Sequence, residues 1–350
     1  MLMTAGNGDE PGSPVRMAVL IMAHAHPEQV GRLVERLSAP FVDIYLHIDR
    51  RTESGPFLSA LGGRPGCTVL PDRDRVGVLW GGFSVVQAIL NLVRTARRGS
   101  PAAERFCLLS GADYPARPIH AIAREMAGDV EYIDVEQKLD PKGSRFCDTT
   151  IQHHHLGNFR LFNPRTSPSG HLVTWGAMLG GMLPRLRQPA TDLYRGSCWW
   201  ALTRTAIDEI LALIARQPGE LAWFRKAVVP DELVFPSFVM ATSRRDRVWR
   251  DPVDRGVLSE PDEGRRLGSH FIRWGGGISP EILTERDHDA ILASGAPFIR
   301  KVDPAASRAL LDALDAAAGR GPADAILSES QGCRPASSRA RQAEPGIHNR

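Results

Sequence analysis

The apolar pattern begins in earnest at Met17, where MAVLIMAH forms a nearly continuous hydrophobic run of strand length. Such a run suits a strand covered on both faces. PEQVGRLVERLSAP follows, with Pro27 suited to the first helical position and Val30, Leu33, Val34 and Leu37 at helical spacing. FVDIYLHID reads as a second strand and CTVL as a short third. GGFSVVQAILNLVRTARR predicts a helix, RFCLLSG another buried strand, RPIHAIAREMAG a helix and VEYID a further strand. Strand and helix thus alternate over the first 135 residues. That alternation is the signature of βαβ units and a mostly parallel sheet, in which ligands bind beyond the carboxyl ends of the strands.

The periodicity fails over residues 141–195, which are rich in Gly, Pro, Arg and His. The stretch is too long for an ordinary connector, so it reads as a functional insertion or a partly mobile one. Order returns with GSCWWALTRTAIDEILALIARQ, a strand-like WWAL leading into a helix. DELVFPSFVMAT predicts a helix interrupted at Pro236, and a last helix falls near Ala305–Ala317. Residues 1–15 and 319–350 have the Gly, Pro, Ser and Arg bias of disordered ends. The expectation is one α/β domain over 16–318, a Rossmann-type, mostly parallel sheet flanked by helices.

Composition narrows the class. The chain has 350 residues, 43% hydrophobic and 24% charged, ordinary for a globular protein. Net charge is only +3, whereas wholesale nucleic-acid binding usually shows a more lopsided balance. Residues 1–15 carry −2 and residues 320–350 carry +2, while 141–195 hold +5 with histidines neutral. The cysteines are five, widely spaced and without a CxxC pair, so neither a metal ribbon nor a disulfide framework is suggested. Cys107, in FCLLS, reads as a buried thiol. No apolar run is long enough to span a membrane, and the start lacks a signal-peptide pattern. The reading is a cytoplasmic protein, at most peripheral at the inner face of a membrane through its basic stretch.

Several chemistries can be weighed residue by residue. There is no Walker A loop, and the first βα turn, AHAHPE, contains no glycine. That leaves sugar nucleotides and metal hydrolases as ligand classes. His24 and His26 at the end of the first strand carry the metal reading, with His47 and Asp49 as further candidate ligands. The alternative is one histidine at the helix start and the other packed. His153–His155 read as a solvated loop, and Asp72-Arg73-Asp74 is a literal DxD embedded in a charged turn.

More specific are IMAHAHPEQ, WGGFSVVQA, SGADYP, GSCWWALTR, PDE and FIRKVD, in this order. In them the chain, from Met17 to Asp303, resembles the core 2/I-branching glycosyltransferase family. That family holds branching β-1,6-N-acetylglucosaminyltransferases, peptide O-xylosyltransferases and many bacterial members. The resemblance implies a GT-A fold and inverting transfer of N-acetylglucosamine or xylose from a UDP-sugar. The acceptor would be a hydroxyl of a glycan, a lipid-linked glycan or a protein. It implies no metal and no cofactor, with the cation's work done by basic side chains on the diphosphate, here Arg273 and Lys301. Fixed cations can stabilise charge on a departing UDP. The general base would be Glu232 of the PDE motif. A second reading makes Glu232 an acid favoured in a helix's first turn, and both can hold together. The resemblance puts Ala23, His24, Asp49, Trp80 and Asp113 near the donor, with Asp113 alternatively capping a turn. Trp199 and Trp200 are candidate sugar contacts. In strand alternation one would face the core and the other the cleft. A non-catalytic sugar-nucleotide-binding protein is the remaining alternative.

Overall fold

The computed structural model describes residues 14–139, 153–156, 159–250, 264–275 and 279–319. The expectations for residues 1–13, for 141–152 of the basic stretch and for 320–350 lie outside the described residues.

Among the described residues, ten strands form two sheets. The larger is built from β1 (Met17–Ala23), β2 (Val42–Ile48), β3 (Cys67–Val69) and β4 (Arg105–Ser110), all mutually parallel. β5 (Asp113–Pro115) leaves for the second sheet. β6 (Tyr132–Lys138) and β7 (Tyr194–Thr203) complete the first, in the order β3-β2-β1-β4-β7-β6. β7 is antiparallel to both neighbours, so the sheet is mostly, not wholly, parallel. The small sheet joins β5 to β8 (Arg265–Leu267), β9 (His270–Ile272) and β10 (Phe298–Arg300), ordered β5-β10-β9-β8. Its strands are three residues long, too short to show a period, which is why SHFIRW and FIRKVD read only as motifs.

Alternation along β1 divides the core. Ala18 and Leu20 face the helices Phe83–Gly99, Arg204–Arg216 and Asp231–Met240. Met17, Val19 and Ile21 face the helices Pro27–Leu37 and Arg308–Ala318 and the small sheet. The near-continuous hydrophobicity of β1 follows from being covered twice. The domain is a single α/β unit of GT-A-like layout.

Three local outcomes bear on the site. The helix Asp231–Met240 is not interrupted at Pro236 but carries it internally, so no N–H from residue 236 reaches the Glu232 carbonyl. The β6/β7 ladder shifts register around Val135, opposite Gly196, where a Cβ would run into the Asp134 carbonyl. Gly196 thus permits the irregular pairing that sets Arg195 beside the PDE motif. In the stretch without periodicity lies a helix, Gly170–Gly181, whose residues GHLVTWGAMLGG are apolar on every side and so give no helical stripe.

Candidate active site

β1 and β2 end at the same edge of the large sheet, bringing Ala23, His24 and Asp49 together; the Asp49 N–H donates to the Ala23 carbonyl at 2.8 Å. The Asp49 carboxylate accepts from the Arg51 guanidinium at 2.9 Å and from the Val78 N–H at 3.0 Å. Burial alone would raise its pKa, but these donors outweigh burial and hold it below the usual carboxylate value. Asp49 thereby fastens the segment around Val78 over the strand ends. His24 has its pKa lowered by burial and by Lys301, His26 and Arg51, against the pull of Asp49. Burial is the larger cause, and the neighbouring cations add to it. His26 takes a left-handed backbone, φ 56°, immediately before the helix Pro27–Leu37.

The metal reading loses its further ligands. His47 is buried, its Nε2 accepting the Val76 N–H at 2.8 Å, and burial pushes its pKa down to about 4. Asp72–Asp74 form a 3-10 turn in which Asp72 pairs with Arg75 at 2.6 Å. Among the described residues, no three His, Cys, Asp or Glu side chains gather as a ligand set.

Basic groups gather instead. Lys301 has its pKa lowered first by burial and then by Arg300 and Arg165, with Asp303 opposing. Arg300 is neutralised: it donates to Asp113 at 2.6 Å, and its guanidinium lies 4.1 Å from the Trp199 ring centre. Arg165 is not, having no carboxylate partner among the described residues. It donates to Ser279 Oγ at 2.8 Å and stacks 4.7 Å over the Trp80 ring. Trp80, about a third exposed, lines an apolar cavity of about 210 Å³ with Phe162, Val173, Ala177 and Val229.

Glu232 lies in the first turn of the helix Asp231–Met240, its carboxylate 3.5 Å from the Arg195 guanidinium. Burial and the adjacent Asp231 raise its pKa to about 7, against Arg195. A helix N-terminus would favour the anion, but here desolvation wins. Burial likewise raises Asp231 to about 6. The Cys198 thiol links the two halves: burial, Asp231 and Glu232 raise its pKa while Arg300 opposes them. The approach to Glu232 is strained, since the β-branched Val229 holds φ 38°.

Four expected residues take different places. Trp200 has no exposed surface and packs 5.1 Å from Phe235, so it is a core residue and not a sugar contact. Asp113 is also wholly buried, held by Arg300, the Ser110 N–H at 2.6 Å and His270 at 3.5 Å. It anchors Arg300 and ties back the turn from Ser110. Arg273 is engaged by Asp287 at 2.6 Å and Glu281 at 2.9 Å, so its charge is balanced within the fold. Asp49, likewise, spends its oxygens on Arg51 and Val78. Trp199 is also buried, 8% exposed, and lies against Arg300 and His270. Sequence reasoning missed Arg165, Arg195 and Arg300. Only Arg300 carried a signal, as the neighbour of Lys301 in FIRKVD.

No curated protein matches the chain. The family model described as Core-2/I-Branching enzyme matches residues 43–275. The match spans β2 to β9, with Asp49, Asp113, Arg195 and the PDE motif inside it. The chain therefore belongs to the Core-2/I-Branching enzyme family, and with it to the glycosyltransferases.

Proposed function

We propose that the protein is an inverting glycosyltransferase that moves N-acetylglucosamine or xylose from a UDP-sugar to an acceptor hydroxyl without a metal. The observation that carries this reading is the combination of Glu232, its pKa raised to about 7, with Lys301 and Arg165, two cations without a carboxylate in ion-pair contact among the described residues. Glu232 takes the proton of the acceptor hydroxyl, and the oxygen attacks the anomeric carbon from the face opposite the diphosphate. The bond from that carbon to the β-phosphate oxygen breaks, and UDP departs with the bonding pair. A general base works best with a pKa near the working pH.

Lys301 and Arg165 offset the charge that grows on the leaving diphosphate. Burial, Arg300 and Arg165 depress the Lys301 pKa, and a dianion beside these cations would offset their repulsion. Trp199, largely buried, backs Arg300 beside them. Arg273 serves to hold the end of β9 against the turn at Asp287.

A panel of UDP-sugars tests the reading by donor hydrolysis and calorimetry, with and without chelator. One sugar should be turned over at the same rate in both conditions, and Glu232→Gln should keep UDP affinity while losing turnover. Activity abolished by chelator would sink the metal-free scheme, and turnover surviving in E232Q would sink the base.

A further inference from the structure

The helix Gly170–Gly181 and the turn after it expose what a globular protein normally covers. Trp175 is 60% exposed, Met178 55%, Met182 69% and Leu186 97%, with Leu179 and Leu183 between them. The helix itself contains no charged residue. A helix apolar on all sides belongs in a core or against lipid, and an exposed apolar patch of this kind marks an interaction site. One side of the helix is already used: Val173, Gly176 and Ala177 line the cavity behind Trp80. The other side, led by Trp175 and Met178, has no cover among the described residues.

Charge identifies the occupant. From Thr149 to Thr191 the sequence contains no Asp or Glu, while it holds Arg160, Arg165, Arg185 and Arg187. Arg160 is exposed between the exposed Phe159 and Leu161, and Arg187 is exposed next to Leu186, its guanidinium 3.6 Å from the nearly buried Glu220. A second copy of the chain would bring together two such faces whose own stretch supplies cations and no acid. An anionic bilayer supplies both an apolar interior and negative headgroups, the combination that holds interfacial helices in place. At 12 residues the helix is too short to span a hydrocarbon core, so it lies in the interface.

We propose that this surface seats the protein on an anionic membrane, with Trp175, Met178, Met182 and Leu186 entering the headgroup boundary. The same stretch carries Arg165 to the donor cluster and Trp175 to the bilayer. The acceptor class that fits is therefore a lipid-linked glycan presented at the membrane surface. This last step rests on the glycosyltransferase reading above; the seating does not.

Flotation of the full chain with vesicles tests the seating. Vesicles of phosphatidylcholine alone are compared with vesicles containing phosphatidylglycerol. The protein should float with the anionic vesicles, and Trp175→Ser combined with Met178→Ser should weaken binding by about tenfold or more. Arg160→Gln, which breaks no ion pair among the described residues, should reduce the preference for anionic lipid. All variants should keep their melting temperature and their UDP-sugar hydrolysis in vesicle-free buffer. A chain that ignores both vesicle types overturns the proposal. So does a dimer in solution that Trp175→Ser converts to monomer. Loss of hydrolysis in the wild type, with flotation intact, would count against the enzymatic reading and leave the membrane surface standing.

Discussion

Arg300 and Asp113 form a buried ion pair at 2.6 Å, joining the last strand of the small sheet to its first. Asp113 has no exposed surface and Arg300 very little, so neither charge can be hydrated if the other is removed. Asp113→Asn should therefore destabilise the protein by about 3–5 kcal/mol, read by chemical denaturation. Asp113→Asn with Arg300→Met should recover part of that loss, because no orphaned cation remains. The pH dependence has a fixed sign. Burial works to raise the Asp113 pKa, but Arg300 and His270 outweigh it and hold it low. Its contribution is complete above the unfolded carboxylate value and disappears as pH falls through the depressed folded one. The wild type should lose stability on acidification more steeply than the double variant.

The adjacent tryptophans separate stability from function. Trp200→Ala removes a wholly buried indole packed on Phe235 and should cost about 3–5 kcal/mol in urea titration. Trp199→Ala uncovers the face of Arg300 and should raise KM or lower turnover in addition to its cost in stability. Equal losses of stability with unchanged kinetics would deny Trp199 a place at the site.

Much of this layout could be read from the chain because β1, β2 and β4 are covered on both faces and say so in MAVLIMA, VDIYLHI and RFCLLS. The strand-end residues followed from the same reading, and Glu232 from the PDE motif. Burial was the missing quantity. Asp113 in SGADYP has the pattern of a strand-end ligand residue, but only tertiary packing closes Arg300 and His270 around it. Arg273 stands in a motif with a basic residue where one was wanted, yet Glu281 and Asp287, from the segment that follows β9, pair with it. Arg165 was invisible for the opposite reason. Its neighbours, Trp80, Ser279 and Lys301, are far away in sequence, and its own stretch has no period to place it. The same lack hid the helix Gly170–Gly181, since a uniformly apolar helix has no stripe to detect.

Arg165 and Lys301 should act together on the nucleotide. Charge-assisted hydrogen bonds contribute about 1.5–3 kcal/mol each, so either alanine variant should weaken UDP binding by roughly tenfold or more. Binding of uridine, which lacks the diphosphate, should change little. Added salt should weaken wild-type affinity more than that of Arg165→Ala, because part of the screened attraction is already gone. Calorimetry with UDP and uridine at two ionic strengths reads all of this. Equal losses for both ligands would place these residues at the base or ribose instead.

Glu232 fixes the pH profile of both activity and stability. As the base it must be ionised, so kcat/KM should climb with pH and level off above about 7, the value set by burial and Asp231. Its effect on stability runs the other way. A folded-state pKa above the usual glutamate value means that the folded chain holds the proton while the unfolded chain has released it. Stability is therefore lost as pH rises from about 4.5 through about 7. The Glu232 side chain is 30% exposed, so screening reduces the effect to about 1–2 kcal/mol. Glu232→Gln has no proton to release, and its melting temperature should fall less than that of the wild type between pH 5 and pH 8. Turnover in E232Q should drop by about a hundredfold or more, and the rising limb of its pH profile should vanish. A profile that keeps its limb near neutrality would transfer the base to Asp231, the other carboxyl raised by burial.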